Sequence, residues 1–168
     1  NYTSLDLSLT LGIDTYRKLW PLYKNIGLRD RPYHAMKKYQ DHIENTYIDS
    51  LSGVSYRGYW KNAYQRAPNG YYPSLIMNTA GTHGGRGIFW SVASDRFQKI
   101  FPNSVNLADI SEKTTVPYYQ AVSTTNRFPF LSPAAKIKGY GHYIDAGAID
   151  NSGLLGCLDL YQYLKVRC

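Results

Sequence analysis

Apolar residues recur every three or four positions from residue 31 to residue 51, and this spacing predicts a helix. Asp30 fits an N-cap with Pro32 in the first turn, and Ser52-Gly53 ends the pattern. Residues spaced in this way lie on one face of a helix, so the segment is predicted to be amphipathic. The positions that carry the pattern are Met36, Tyr39, Ile43, Tyr47 and Leu51.

The remainder of the chain predicts strands alternating with helices. Short apolar runs between turn residues predict strands at 73–79, 88–93 and 137–144, and helical spacing predicts helices at 116–125 and 152–165. The glycine-rich loop 81–87 is expected to join the first two strands as a hairpin. Alternating leucines in 1–29 indicate an extended segment, whereas 54–72 is rich in Tyr, Arg and Gly without a predicted element. No repeat or linker divides the chain.

Length and composition are those of one globular domain with its own core. The chain has 168 residues, 43% of them hydrophobic, and a formal net charge of +7. This charge favours anionic partners, an anionic membrane surface among them. The basic residues are dispersed and no nucleic-acid motif accompanies them, so nucleic-acid binding has only the charge in its favour, and we expect none. No run of 18 apolar residues predicts a membrane span.

The cysteines predict neither a disulfide framework nor a zinc site. Cys157 lies among leucines of the predicted last helix and is expected to be a buried structural thiol, and Cys168 is terminal. No metal or cofactor motif occurs, and no signal-peptide pattern is present. These features favour a reducing compartment, with the protein inside the cell or peripheral to a membrane.

The segment 140–153 carries the strongest candidate for chemistry. It predicts a short strand, then Asp145 at a glycine-bearing turn, then the cap of a helix. A carboxylate at the carboxyl end of a strand lies where α/β sheets bind ligands, and it can act as a general base. The alternative is an ordinary turn or N-cap role, which we favour for Asp150 and Asn151.

No other residue completes an active site by its sequence context. His142 is three positions before Asp145 and therefore faces the opposite side of a strand. His83 lies in the hairpin loop, which lacks the spacing of a phosphate-binding motif, and His34 and His42 do not form a metal pair. Four serines are candidates for a nucleophile, and none of them lies in a Gly-x-Ser-x-Gly elbow. The four candidates are Ser91, Ser123, Ser132 and Ser152.

Three motifs resemble the C-terminal half of patatin-like acyl hydrolases, most closely the bacterial members. They are the segments 127–134 (RFPFLSPA), 141–147 (GHYIDAG) and 150–153 (DNSG). The resemblance covers 73–165 well, whereas 1–72, which we expect to be mostly helical, matches weakly. It implies a three-layer α/β/α fold, here a single partial domain over 1–168 that lacks the N-terminal strands and the elbow.

The resemblance also implies a Ser–Asp dyad that hydrolyses lipid esters, without a cofactor or metal. Asp145 would be the dyad aspartate, and Ala146 and Gly147 the turn of its motif, although the family usually has glycine at the position of Ala146. The serine and the oxyanion loop would lie upstream of Asn1, so this chain alone is predicted to be inactive. A second hypothesis is a non-catalytic binding or interaction module derived from this fold.

Overall fold

The computed structural model describes residues 31–46, 51, 53–67, 71–109, 116–128 and 132–166, which form helices packed on one sheet. The predicted extended segment in 1–29 and Cys168 lie outside these residues. The helices are α1 (Arg31–Thr46), α2 (Tyr56–Arg66), α3 (Phe97–Ile100), α4 (Tyr118–Thr124), α5 (Leu154–Lys165) and a 3-10 turn (Ala146–Ala148). The strands are β1 (Ile76–Gly81), β2 (Arg86–Trp90), β3 (Ser104–Asn106), β4 (Ala135–Ile137) and β5 (Gly141–Asp145).

The sheet is mixed, with the strand order β3-β2-β1-β5-β4. β2 and β3 are parallel, and the other neighbouring pairs are antiparallel. The predicted hairpin is confirmed, because β1 and β2 are antiparallel and pair from Ile76 with Trp90 to Ala80 with Arg86. Helices combined with this mixed sheet also confirm the α/β class.

Two hydrophobic clusters pack on opposite faces of the sheet, because neighbouring residues of β2 point in opposite directions. Phe89 joins Tyr56 and Trp60 of α2 on one face. Ile88 and Trp90 join α3 and the inner face of α5 on the other. The central strand β1 is thus covered on both sides, and β5 runs beside it.

The helix boundaries follow the predictions in part. The helix predicted over 31–51 is observed over Arg31–Thr46, and those predicted at 116–125 and 152–165 are α4 and α5. The helix α2 was not predicted. Its sequence signal is Ser55, whose Oγ accepts a hydrogen bond from the Gly58 N–H at 2.9 Å in the manner of an N-cap.

The single strand predicted over 137–144 is wrong, because the chain reverses within it. β4 ends at Ile137 and β5 begins at Gly141, and the two strands are antiparallel neighbours. Gly139 and Gly141 have φ values of +82° and +99°, which L side chains rarely adopt. The turn depends on these two glycines, and it leaves Asp145 at the end of a short strand.

The prediction of a buried Cys157 is also wrong, since its side chain is exposed. The reason is the rotation of α5, which turns Gly156 towards the sheet. A Cβ at Gly156 would lie 3.1 Å from Ile76 Cγ2. Close contact at this glycine fixes which face of the helix is inward, and Cys157 lies outside it.

Candidate functional site

Asp145 is the last residue of β5, as its sequence context predicts. It pairs with Thr79 of β1, the central strand, and its backbone N–H donates to the Arg127 carbonyl at 2.9 Å. The side chain is half-buried. The backbone of Asp145 is therefore held from both sides, while its carboxylate stays partly accessible at the carboxyl end of β5.

One oxygen of the Asp145 carboxylate is fixed by the turn that follows it. Oδ1 accepts a hydrogen bond from the Gly147 N–H at 2.7 Å, so that Asp145 caps the 3-10 turn. Among the described residues, no hydrogen bond to Oδ2 is found. The carboxylate thus has one anchored oxygen and one that is available as a proton acceptor.

The turn accepts alanine at position 146 without backbone strain. Ala146 lies in the 3-10 turn and does not have a positive φ; within the described ranges, Asn103 is the residue other than glycine that does. Gly147 has a different constraint, since a Cβ there would lie 3.1 Å from Asp145 Oδ1 and 3.3 Å from Asn151 Oδ1. The absence of a side chain at Gly147 therefore leaves room for the carboxylate.

Asp150 has the structural role that its sequence context predicts. Its Oδ1 accepts the Leu154 N–H at 3.1 Å, and its Oδ2 accepts the Leu155 N–H at 3.0 Å. Ser152 Oγ and Asn78 Nδ2 also donate to it, each at 3.2 Å. The side chain is buried and both oxygens are occupied. Asp150 thus binds the first amides of α5, where a negative charge is favourable.

The described residues bring no serine hydroxyl into hydrogen-bonding contact with Asp145. Ser91 Oγ is buried between the Tyr64 hydroxyl, at 2.7 Å, and the Leu75 N–H, at 2.8 Å. Ser152 is bonded to Asp150. Ser123 is buried on α4, and Ser132 is buried as well. None of these serines lies on a strained strand-to-helix turn of the kind that exposes a nucleophile.

The histidines of the strands and loops do not join Asp145 either. His142 is exposed, and its carbonyl accepts the Thr82 N–H at 2.9 Å. His83 lies in the tight hairpin loop, where the Gly81 N–H donates to the Gly85 carbonyl at 3.0 Å. In the described part of the chain, no group of His, Cys, Asp and Glu side chains is arranged to hold a metal ion.

A cavity of about 370 Å³ between α1 and α4 was not predicted from the sequence. Apolar lining comes from Met36, Leu51 and Pro117, and polar lining comes from Gln40 of α1, from α4 and from Arg127. The carbonyl of Arg127 is the acceptor for the Asp145 N–H, so one hydrogen bond joins the cavity wall to the backbone of the candidate residue. The volume lies in the range of small-molecule sites.

The polar wall of this cavity includes two buried hydroxyl-bearing residues. Tyr119 and Ser123 lie one helical turn apart on α4, each 8% exposed. Within the described ranges, neither hydroxyl oxygen has a hydrogen-bond partner. Burial raises the pKa of Tyr119, and the nearby carboxylates of Glu44 and Asp41 raise it further, so its hydroxyl stays protonated.

Two of the arginines that contribute to the positive charge form ion pairs with aspartates. Arg57 Nε and Nη2 bind the two carboxylate oxygens of Asp109 at 2.7 and 2.6 Å. Arg86 of β2 pairs with Asp159 of α5, and its Nε donates to Ser104 Oγ at 2.9 Å. These arginines hold loops and helices to the sheet, which is a structural role.

Comparison with known proteins finds no protein-family model, curated protein or solved structure that matches the chain. The resemblance to patatin-like hydrolases therefore depends on the sequence motifs alone.

Proposed function

We propose that Asp145 is the general base of a Ser–Asp dyad, and that this chain is the C-terminal portion of a patatin-like serine lipid acyl hydrolase. The observation that carries the proposal is the Asp145 carboxylate, with one oxygen bonded to the Gly147 N–H and the other not engaged by the described residues. The carboxylate lies at the end of β5, which is paired with the central strand β1 of the sheet. The proposed fold is the three-layer α/β/α arrangement, here without its upstream strands.

The proposed reaction needs a serine from the upstream half of the same domain. Oδ2 of Asp145 accepts the proton of that serine hydroxyl, and the serine oxygen attacks the ester carbonyl. Asp145 gives this proton to the leaving alcohol. It then accepts a proton from a water molecule that attacks the acyl-serine ester, and it returns that proton to the serine oxygen as the acyl group leaves as a carboxylic acid. The hydrogen bond from Gly147 keeps the carboxylate oriented throughout, which is the contribution of the turn.

The cavity between α1 and α4 supports a substrate with an acyl chain. Its apolar lining by Met36, Leu51 and Pro117 suits a hydrocarbon chain. Its wall at Arg127 is bonded to the Asp145 backbone. We propose that the acyl part of a lipid or other ester lies in this cavity while the ester carbonyl faces Asp145.

The test is ester hydrolysis by this chain joined to an upstream segment that supplies a Gly-x-Ser-x-Gly elbow. Asp145→Asn should lower kcat by roughly three orders of magnitude or more, since removal of one member of a catalytic unit has effects of this size. Asp95→Asn, a matched change at an exposed aspartate, should leave kcat unchanged. The 168-residue chain alone should show no hydrolysis.

Undiminished hydrolysis by Asp145→Asn would disprove the role of Asp145. A folded chain joined to an elbow that hydrolyses no ester would instead favour the non-catalytic module. The feature that favours this second function is that no serine among the described residues contacts Asp145.

A further inference from the structure

The α4 wall of the cavity carries two buried hydroxyl groups that the fold itself does not use. Tyr119 and Ser123 lie one helical turn apart and therefore on one face of α4, and both line the cavity. Neither hydroxyl has a hydrogen-bond partner among the described residues, although each side chain is more than nine-tenths buried. A buried hydroxyl without a partner is unfavourable, because it has lost its hydrogen bonds to water. Two such groups in one cavity indicate a site that a ligand completes.

A ligand that is hydrocarbon throughout would not satisfy this cavity. The apolar lining by Met36, Leu51 and Pro117 suits a hydrocarbon segment. Against Tyr119 and Ser123, however, hydrocarbon would exclude water from two hydroxyls and supply no hydrogen bond in its place. A site built to hydrogen-bond a ligand hydroxyl discriminates strongly against the analogue that lacks it. The ligand is therefore expected to carry an oxygen where it meets α4.

The charges around the cavity favour an uncharged oxygen over a carboxylate. Burial raises the pKa of Tyr119, and the nearby carboxylates of Glu44 and Asp41 raise it further. The ammonium of Lys37 opposes these carboxylates, and Arg127 in the cavity lining adds a second positive charge. These two negative and two positive groups balance. A ligand hydroxyl fits such surroundings, since it can accept a hydrogen bond from one protein hydroxyl and donate one to the other.

The size of the cavity limits the ligand to a small molecule. Its volume of about 370 Å³ corresponds to roughly a dozen water molecules at about 30 Å³ each, so a ligand of about ten non-hydrogen atoms would fill it. The cavity lies between α1 and α4, and no described helix is long and apolar enough to cross a membrane.

We propose that the cavity between α1 and α4 binds a hydroxylated acyl chain of medium length, with its hydroxyl group against Tyr119 and Ser123. The hydrocarbon part contacts Met36, Leu51 and Pro117. The identity of the ligand as an acyl chain rests on the proposed function, whereas the recognition of its hydroxyl rests on the cavity alone. The substrate class is thus narrowed from lipid esters in general to esters of hydroxylated acids.

Binding of uncleaved amides to the 168-residue chain tests this proposal. The probes are octanamide and three octanamides that carry a single hydroxyl on one of the last three carbons. An amide replaces the ester, so binding is measured without hydrolysis. We expect at least one hydroxylated amide to bind at least about tenfold more tightly than octanamide in calorimetric titrations. In NMR spectra, the backbone amide signals of Gly53 and Gln120, which line the cavity, should shift as this ligand binds.

Two variants remove the hydroxyls one at a time. Tyr119→Phe and Ser123→Ala should each lower the preference for the hydroxylated amide at least about fivefold. Octanamide should bind to them as tightly as to the wild type or more tightly, because it no longer covers an unpartnered hydroxyl. Tyr161→Phe, at a residue of α5 that is 60% exposed and does not line the cavity, is the matched control and should keep the preference.

Equal affinities of all four amides for the wild type would overturn the proposal. A preference that persists when Tyr119→Phe and Ser123→Ala are combined would overturn it as well. If the chain joined to an elbow hydrolyses esters but the amides show no preference, the hydroxylated substrate is wrong and the Ser–Asp dyad stands. If the preference is found and the joined chain hydrolyses no ester, the dyad is wrong and the recognition of a ligand hydroxyl stands.

Discussion

Replacement of Asp150 by alanine should destabilise the fold, whereas replacement of Asp145 by asparagine should leave stability nearly intact. Asp150 is 9% exposed and accepts hydrogen bonds from two amides of α5, from Ser152 and from the buried Asn78. Alanine removes the cap and the charge at the helix N-terminus, and it leaves the Asn78 amide without this partner. Together these losses cost about 2–4 kcal/mol of unfolding free energy.

The two aspartates are five residues apart, which makes the comparison a sharp one. Asparagine at position 145 keeps a carbonyl oxygen that can accept the Gly147 N–H at the observed 2.7 Å. Its stability cost should therefore stay below about 0.5 kcal/mol. Asp150→Asn should lie between the two variants, at about 1–2 kcal/mol, because it keeps one acceptor oxygen, places an NH2 group against donors that now bind the other oxygen, and loses the charge at the helix end.

Urea unfolding followed by tryptophan fluorescence measures these differences, with the buried Trp60 and Trp90 as reporters. Asp150→Ala should also lower Tm by roughly 5–15 °C. A cost below about 0.5 kcal/mol for Asp150→Ala, or an equal cost for Asp145→Asn and Asp150→Ala, would contradict these roles. Either result would mean that the hydrogen bonds of the two carboxylates do not distinguish a structural aspartate from an available one.

Two further perturbations test the sheet and its tyrosines. Burial raises the pKa of Tyr56 above the ordinary value of 10.0, and it also raises the pKa of Tyr143. Both tyrosines therefore stay neutral in the folded protein at pH values where the same side chains ionise in the unfolded chain. Their contribution to the free energy of unfolding is complete below about pH 10 and is lost above it, at up to about 1.4 kcal/mol per pH unit for each tyrosine. Tyr56→Phe should reduce this dependence of the unfolding free energy on pH, measured by urea titrations between pH 8 and 11. Gly87→Ala should destabilise the fold by about 1–3 kcal/mol, because a Cβ would lie 2.5 Å from Leu107 Cδ1, 2.6 Å from Thr79 Oγ1 and 2.7 Å from Tyr143 Cε1. An unfolding midpoint equal to that of the wild type for Gly87→Ala would contradict this packing.

The elements that were predicted correctly are those whose signal is local. The hairpin, α4 and α5 follow from apolar runs, helical spacing and turn residues. The missed helix α2 has a local signal too, the N-cap Ser55 followed by Tyr56 and Trp60 at helical spacing, but its Tyr, Arg and Gly composition obscured it. The break in the strand predicted at 137–144 is signalled by Gly139 and Gly141, whose positive φ values reverse the chain.

Around the candidate site, the roles of two aspartates could be predicted from local sequence. The local sequence identified Asp145 as a carboxylate at the end of a strand, and it favoured Asp150 as a turn or capping residue, because turn and cap preferences depend on neighbours a few positions away. The resemblance to patatin-like hydrolases also came from local motifs, and the function that it implies stays a proposal.

Which groups meet and which faces are buried depends on the packing of segments that are distant in sequence. The link from Asp145 to Arg127, the cavity between α1 and α4, and the ion pair of Arg86 with Asp159 join segments that are distant in sequence. The periodicity of α5 is compatible with either rotation of an apolar helix, and close packing at Gly156 selects the one that exposes Cys157 and Leu158. Long-range packing sets these features, and a pattern of neighbours cannot encode it alone.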